Sequence, residues 1–264
     1  MKKYLVIGNP IQHSLSPKLH NYWIKKNNLD AIYDKRQLDE SNIAEIINEL
    51  KNGKIEGINV TVPFKKTVIS FLDKLTPLAE KTHSVNTIFK EGYKIIGDNT
   101  DVEGFELSLK YIDYSVKNKK AFVLGAGGVA PSIILALKRL GVSEIILSNR
   151  TKKNAENLKK QYPDLKVIDW GQTTDFDLII NATILGLKNS DKINLDYNKF
   201  GSDKLFYDVI YNPSKTNFLL KAKELGNQIE NGKLMFIYQA QLSFKILHNI
   251  LPKVDESVIS LLDV

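Results

Sequence analysis

The chain of 264 residues is 43% hydrophobic and 25% charged, with 37 basic against 30 acidic side chains and a net charge of +7. That is the balance of a globular protein long enough for two domains, and no apolar run approaches the ~18 residues of a membrane span. The absence of cysteine excludes a disulfide framework, a thiolate metal site and a cysteine nucleophile. The lysines are scattered among acids, which argues against nucleic acid as a partner and leaves small anions as what such a field attracts.

In chain order, MKKYLVIGNP carries a hydrophobic stretch too short for a signal peptide, so a cytoplasmic protein is expected. Tyr4 to Gly8 reads as a first strand, broken by Asn9-Pro10. The polar loop that follows leads into a helix with Ser16 as N-cap and Pro17 in its first turn. Ser14 and Ser16, two hydroxyls at a helix start, can hold a carboxylate; plain capping explains Ser16 equally well, and Ser14 less so. Ala31 to Leu38 is a second strand, and Ser41 is expected to cap a helix through Leu50. Ile58 to Val62 is a strand ended by Pro63, and Phe64-Lys65-Lys66 is expected to open a helix running to about Leu75. Lys65 follows the C-terminal end of a strand, where α/β sheets place ligands, although a surface lysine is the commoner meaning of such a residue. Ser84 to Ile88 and Tyr93 to Ile96 flank Glu91-Gly92 as a hairpin. The dense polar turn Gly97-Asp98-Asn99-Thr100-Asp101 then starts a helix, with Asp101 either its N-cap or a chemical group.

Lys119 to Gly141 is strand, glycine turn and helix in succession: Ala121 to Leu124, then Gly125-Ala126-Gly127-Gly128, then Val129 to Leu140. This order leaves backbone N–H groups at a helix N-terminus, where a pyrophosphate binds. The next strand, Glu144 to Ser148, ends in Asn149-Arg150-Thr151-Lys152-Lys153, where an NAD site usually carries an acid for the ribose. Of the 37 basic residues only Arg36, Arg139 and Arg150 are arginines. An arginine here suits bidentate recognition of a phosphate, so NADP is the expected cofactor. Asp177 to Asn181 and Leu205 to Tyr211 are further buried-type strands, alternating with helices as in a doubly wound parallel sheet. Thr216 to Leu225 is a helix closed by Gly226, and Gly232-Lys233-Leu234-Met235 starts the last long one, where Met235 reads as core by spacing alone.

Taken together, GNPIQHSLSP (8–17), NVTVPFK (59–65), VNT (85–87), GDNTD with Gly104 (97–104), GAGGVA (125–130), NRT (149–151), NAT (181–183), YDVIYNPSKT (207–216) and GKLMFIYQA (232–240) resemble the shikimate dehydrogenase family nearly end to end. The resemblance implies an α/β protein of two domains. One is an N-terminal α/β substrate domain, residues 1–101 plus 239–264; the other is a Rossmann-like, doubly wound parallel-sheet NADP domain, residues 102–238. It implies NADPH-dependent, reversible reduction of 3-dehydroshikimate to shikimate in aromatic amino-acid (chorismate) biosynthesis, by a cytoplasmic monomer or homodimer needing no metal. The family's carboxylate-holding serines correspond to Ser14 and Ser16, its strand-end threonine to Thr61, and its catalytic lysine to Lys65. Its ring-hydroxyl ligands fall on Asn86, Asp101, Tyr211 and Gln239. The glycine loop is Gly125, Ala126, Gly127, Gly128 and Val129, and the 2′-phosphate clasp is Asn149, Arg150, Thr151, Lys152, Lys153 and Asn154. The nicotinamide side is Thr183, Val209, Gly232 and Met235. His83-Ser84 replaces the family's common Gly-Ala pair, which bears on the position of Asn86. Asn154 stands where a second arginine is frequent, so Lys152 or Lys153 shares that charge. Ile184-Leu185 replaces a small polar pair beside the pocket.

Elementary chemistry agrees with this. Hydride addition to a ketone builds charge on the oxygen, which calls for a positioned proton donor, here Lys, Tyr or His. Lys65 beside Asp101 makes an ionic couple that keeps the ammonium oriented and charged, and the two are expected to converge opposite the nicotinamide, with the domains closing over the ligands. The competing readings are an NAD-dependent quinate/shikimate dehydrogenase, which Arg150 opposes, and a non-catalytic ligand sensor on the same scaffold, which an intact Lys65 and Asp101 oppose.

Overall fold

The computed structural model describes residues 1–188 and 190–263, so Asn189 and Val264, which fall inside the two expected domain ranges, lie outside the described residues. The first segment runs β1 (Lys2–Gly8), α1 (Ser16–Lys26), β2 (Ala31–Gln37), α2 (Ile43–Lys51), β3 (Gly57–Val60), β4 (Lys74–Leu75), α3 (Pro77–Thr82), β5 (Thr87–Glu91), β6 (Lys94–Asp98) and α4 (Asp101–Tyr111). Then follow β7 (Lys120–Leu124), α5 (Ala130–Arg139), β8 (Glu144–Ser148), α6 (Lys152–Gln161), β9 (Lys166–Ile168), β10 (Leu178–Asn181), β11 (Leu205–Asp208), α7 (Asn217–Glu224) and β12 (Gln228–Glu230). The chain finishes with α8 (Lys233–His248) and α9 (Glu256–Leu261). It divides into two compact units, Met1–Gly104 with Ile237–Asp263, and Phe105–Phe236.

The first unit is built on a mixed six-stranded sheet in the order β2-β1-β3-β5-β6-β4. β1 pairs in parallel with β2 and β3, while β5 runs antiparallel to both β3 and β6. Helix α2 shows why its residues belong here: Ile43, Ile46, Ile47 and Leu50 recur at helical spacing, and all are buried. They pack on Leu5, Ile7, Ile58, Val60 and Ile88 of the sheet. Each such side chain contributes roughly 1.5–3 kcal/mol of transfer free energy.

The second unit is an all-parallel sheet in the order β12-β11-β10-β7-β8-β9. Strands β10 and β11 are buried at every residue and the apolar part of β7 likewise, the pattern of a sheet covered on both faces. A core of Phe122, Phe176, Phe206, Phe218 and Leu219 fills one of those faces. The strand order reverses between β7 and β10, and in such sheets that crevice at the carboxyl ends is where ligands bind.

Several expectations are corrected. Ser16 does not cap α1: it is the first helical residue, Leu15 holds the cap position, and the Ser14 hydroxyl accepts from Ser16 N–H at 3.3 Å. Ser41 does not cap α2, because a 3₁₀ turn at Glu40–Asn42 intervenes and Asp39 forms the capping box with Asn42. Residues 64–75 are not a helix. A 3₁₀ turn spans Thr67–Phe71, and the chain then extends as β4 beside β6. The β-branched Thr67, Val68 and Ile69 weaken an α-helix there, while the Asp73 carboxylate accepts from Ile95 N–H at 2.7 Å and ties the segment to the sheet.

Candidate active site

In the first unit the polar residues singled out from the sequence converge at the ends of β3, β5 and β6 and on α4 and α8. Lys65 Nζ lies 2.6 Å from Asp101 Oδ2, with 11% and 6% of their side-chain surfaces exposed. The Lys65 carbonyl accepts from Val85 N–H at 2.8 Å, which anchors the lysine backbone beside Asn86. Asn86 Nδ2 donates toward Asp101 Oδ1 at 3.0 Å, Thr100 Oγ1 at 2.8 Å and Gln239 Oε1 at 3.2 Å. Its Oδ1 accepts from Thr100 N–H at 2.9 Å, so the amide orientation is set from both sides.

Asp101 is the first residue of α4 but not its cap. Asn99 Oδ1 accepts from the N–H groups of Asp101 at 3.0 Å and Val102 at 3.3 Å, and Asn99 Nδ2 donates to Thr82 Oγ1 and the Ser84 carbonyl. With the capping done by Asn99, both Asp101 oxygens face Lys65 and Asn86. Gly104, one turn on, faces Gln239 so closely that a Cβ would stand 2.8 Å from Gln239 Cβ and 2.9 Å from its backbone nitrogen. The His83-Ser84 departure is accommodated. His83 is exposed in the left-handed conformation that ends α3, with φ 48°, and Ser84 is buried with its carbonyl serving Asn99.

A second layer, absent from the sequence reading, supports the first. Tyr33, 1% exposed, donates its hydroxyl to Asn59 Oδ1 at 2.7 Å. Burial pushes its pKa well above the ordinary tyrosine value, partly offset by a hydrogen bond with the Ser16 side chain. Asn59 Nδ2 in turn donates to Ser243 Oγ at 2.7 Å, Thr87 Oγ1 at 3.0 Å and the Asn86 carbonyl at 3.0 Å. Asn59 opens the NVTVPFK segment and is the one polar residue between Ile58 and Val60 in a buried strand. Ser14 and Thr61 are half-buried, and Thr61 N–H donates to the Ile7 carbonyl at 2.9 Å.

In the second unit the glycine turn follows β7. Gly125 has φ +107°, and a Cβ on it would lie 2.8 Å from the Ala182 carbonyl oxygen, so no other residue fits. Ala126 N–H donates to Asn149 Oδ1 at 3.0 Å, which pins the turn to the end of β8. Gly127 faces open space, and no side chain caps α5 at Val129, so the positive helix end is presented beyond Gly127 and Gly128. Arg150, Thr151, Lys152, Lys153 and Asn154 are exposed, and Lys152 pairs with Asp169 at 3.3 Å across a solvated surface. Asn149, the first residue of the expected phosphate clasp, accepts from Ala126 N–H and donates to the Thr151 carbonyl at 2.8 Å, which shapes the loop that carries Arg150.

Thr183 follows β10, with its hydroxyl donating to Asn181 Oδ1 at 2.7 Å. Val209 follows β11, and Gly232 sits so close that a Cβ would be 2.0 Å from the Val209 carbonyl oxygen. Met235 is 5% exposed. Tyr211 is half-buried and stacked on Phe236, centroids 4.5 Å apart. A turn that only glycine fits, an uncapped helix end and basic residues after the second strand make a cradle that fits a phosphorylated dinucleotide.

Comparison with known proteins points the same way. Residues 6–88 match the family model described as the shikimate dehydrogenase substrate binding domain, and residues 106–185 match the one described as shikimate / quinate 5-dehydrogenase. The NADP(+) shikimate dehydrogenase of Pelagibacter ubique is 59% identical over 100% of this chain and 99% of its own. That of Caldicellulosiruptor saccharolyticus is 38% identical over 95% of this chain and 93% of its own. Among solved structures, the Thermus thermophilus shikimate 5-dehydrogenase in complex with NADP(H) and shikimate superposes with a TM-score of 0.90 at 30% identity, covering 99% of this chain and 98% of that one.

Proposed function

The chain belongs to the shikimate dehydrogenase family, and from that premise we propose a division of labour among its residues. The enzyme interconverts 3-dehydroshikimate and shikimate with NADP(H) as cofactor. Bound NADPH supplies the hydride that reduces the ketone carbon; the protein's own part is to hold the substrate and deliver one proton to the ketone oxygen.

Lys65 delivers that proton from its ammonium and recovers it in the reverse direction. Asp101, ion-paired with it at 2.6 Å, keeps the ammonium aimed and receives a ring hydroxyl of the substrate on its remaining lone pairs. Asn86 and Gln239 take the other ring hydroxyls, Ser14, Ser16 and Thr61 hold the carboxylate side, and Tyr211 completes the substrate contacts. Gly125 to Val129 receive the pyrophosphate, Arg150 with Lys152, Lys153 and the Asn149–Asn154 segment the 2′-phosphate, and Thr183, Val209, Gly232 and Met235 the nicotinamide. Residues 1–101 with 239–264 serve the substrate and 102–238 the cofactor. The protein works in the cytoplasm as a monomer or homodimer; no helix of the described residues is long and apolar enough to cross a membrane.

The observation that supports this reading most is the buried Lys65–Asp101 pair, held by Asn86 in a lattice of side-chain hydrogen bonds. A buried ion pair is costly to build and is weak evidence for stability, so its use is chemical. The test is loss of absorbance at the NADPH band on adding 3-dehydroshikimate. No oxidation with that substrate, with the protein folded, overturns the reading.

A further inference from the structure

Asp208 is an acid the mechanism above does not use. It ends β11 opposite Asn181, its cross-strand partner at the end of β10, and both are fully buried. Its donors are all neutral: Oδ1 accepts from Asn181 Nδ2 at 3.0 Å and Ile210 N–H at 3.0 Å, and Oδ2 accepts from Thr216 Oγ1 at 2.6 Å. Burial pushes its pKa up to about 6, with those hydrogen bonds from Thr216, Ile210 and Asn181 pulling back down. An acid in such a place costs stability, and a protein retains one where its geometry is needed.

That geometry propagates in one direction. Asn181 Nδ2 is committed to Asp208 and to the Leu185 carbonyl at 3.0 Å, two acceptors that leave its Oδ1 facing Thr183. Oδ1 then accepts both Thr183 N–H at 3.1 Å and the Thr183 hydroxyl at 2.7 Å, and the hydroxyl oxygen accepts from Leu185 N–H at 3.0 Å. The same carboxylate fixes the start of the Val209-Ile210 turn, and Ile210 and Val209 are the residues against which Gly232 packs. Three segments that carry the nicotinamide contacts in our reading are thus tied to one side chain.

We propose that Asp208 is a positioning residue for the nicotinamide end of the cofactor site, acting through the Asn181 amide on Thr183 and through Ile210 N–H on Val209. This rests on the assignment of Thr183 and Val209 given above. A mere structural role, as a brace for the end of α7 at Thr216, would loosen the whole unit without distinguishing one end of the cofactor from the other.

The test compares intact cofactor with 2′-phospho-ADP-ribose, which is NADP lacking its nicotinamide. Asp208→Ala takes the acceptor from three buried donors, Asn181 Nδ2, Ile210 N–H and Thr216 Oγ1, so kcat/KM for NADPH should fall by at least about tenfold. The inhibition constant of the fragment should stay within about twofold of the parent, the scatter expected for an untouched site. Asp208→Asn keeps one acceptor oxygen for Asn181 and Ile210, while the Thr216 hydroxyl can turn to accept, so it should recover most of the loss. Asn181→Ala alone and combined with Asp208→Ala should give a double variant little worse than either single one. If Asp208→Ala does not fold, Asn181→Ala and Asp208→Asn carry the same comparison of cofactor with fragment, and equal losses for the two ligands overturn the proposal. Equal losses for cofactor and fragment, additive effects of the two substitutions, or unchanged kcat/KM would each overturn the proposal. Thr183→Ala separates the two levels: if it too leaves NADPH kinetics unchanged, the nicotinamide assignment has failed; if it impairs them while Asp208→Ala does not, only the role of Asp208 has.

Discussion

Replacing Lys65 by alanine should produce two losses of different origin that can be measured apart. The first is chemical. General acid catalysis by a positioned group is worth about 10²–10⁴-fold, or ~3–5 kcal/mol of barrier, and it should appear in kcat, with KM for 3-dehydroshikimate moving far less. The second is structural. The Asp101 side chain is 6% exposed, and without the ammonium at 2.6 Å its charge is left with the Asn86 amide at 3.0 Å. Removing one partner of a buried pair typically costs ~3–5 kcal/mol. Asp101→Asn in the same chain removes the orphaned charge, so the double variant should be more stable to urea than Lys65→Ala while remaining as inactive. Asp101→Asn alone should harm both kcat and KM, since in our reading the carboxylate serves lysine and substrate together. Steady-state NADPH oxidation and urea titration of the four proteins make the measurement. Unchanged kcat in Lys65→Ala removes that residue from proton transfer, and a double variant no more stable than the single one refutes the account of the stability loss.

Other outcomes follow from particular contacts. Gly104→Ala forces a methyl group against Gln239 backbone, with Cβ 2.9 Å from its nitrogen, so it should cost ~1–3 kcal/mol in urea titration and raise KM for 3-dehydroshikimate; wild-type values would show that α4 and α8 can part freely. His20 is buried with Nδ1 unbonded, stacked on Tyr33 at 4.0 Å, and burial, with His248 nearby, lowers its pKa from 6.5 to about 3. The unfolded chain therefore binds the extra proton first, and stability is full above pH 6.5 and declines as pH falls toward 3. His20→Phe should flatten that decline, and parallel acid titrations by circular dichroism would refute the idea. Arg150→Ala should raise KM for NADPH by about 10–100-fold while leaving NADH nearly unchanged, as loss of a charge-assisted phosphate contact implies; an equal rise for both cofactors would move the clasp elsewhere.

What could be read from the sequence divides along physical lines. The parallel unit was legible because buried strands, a glycine turn and helical periodicity are all local signals, and Gly125 indeed occupies a place where any Cβ would collide. The short edge strands β9 and β12, three residues each, carry too little periodicity to be seen. The segment 64–75 was expected to open as a helix after the strand-ending Pro63, yet β-branching and the pull of β6 decided otherwise. Capping was misassigned twice at the same kind of place. A hydroxyl at a helix start is a candidate cap, but which neighbour reaches the N–H groups depends on the preceding turn, as Ser14 and Asp39 show. The Lys65–Asp101 couple was expected; the Tyr33–Asn59–Ser243 layer behind it was not. Asn59 and Ser243 are 184 residues apart, and no spacing rule spans that distance.

The unit that carries Lys65 and Asp101 is not one continuous stretch of polypeptide, since Ile237–Asp263 returns to finish it. During synthesis the early part must therefore wait: Asn59 has no Ser243 to bond, Asn86 no Gln239, and the face of Gly104 lies bare until α8 emerges from the ribosome. The hydrogen-bond lattice around Asn59 and Asn86 is completed by the tail. Removal of residues 237–263 would take Ser243 from Asn59 and Gln239 from Asn86 while leaving the Lys65 and Asp101 side chains themselves intact.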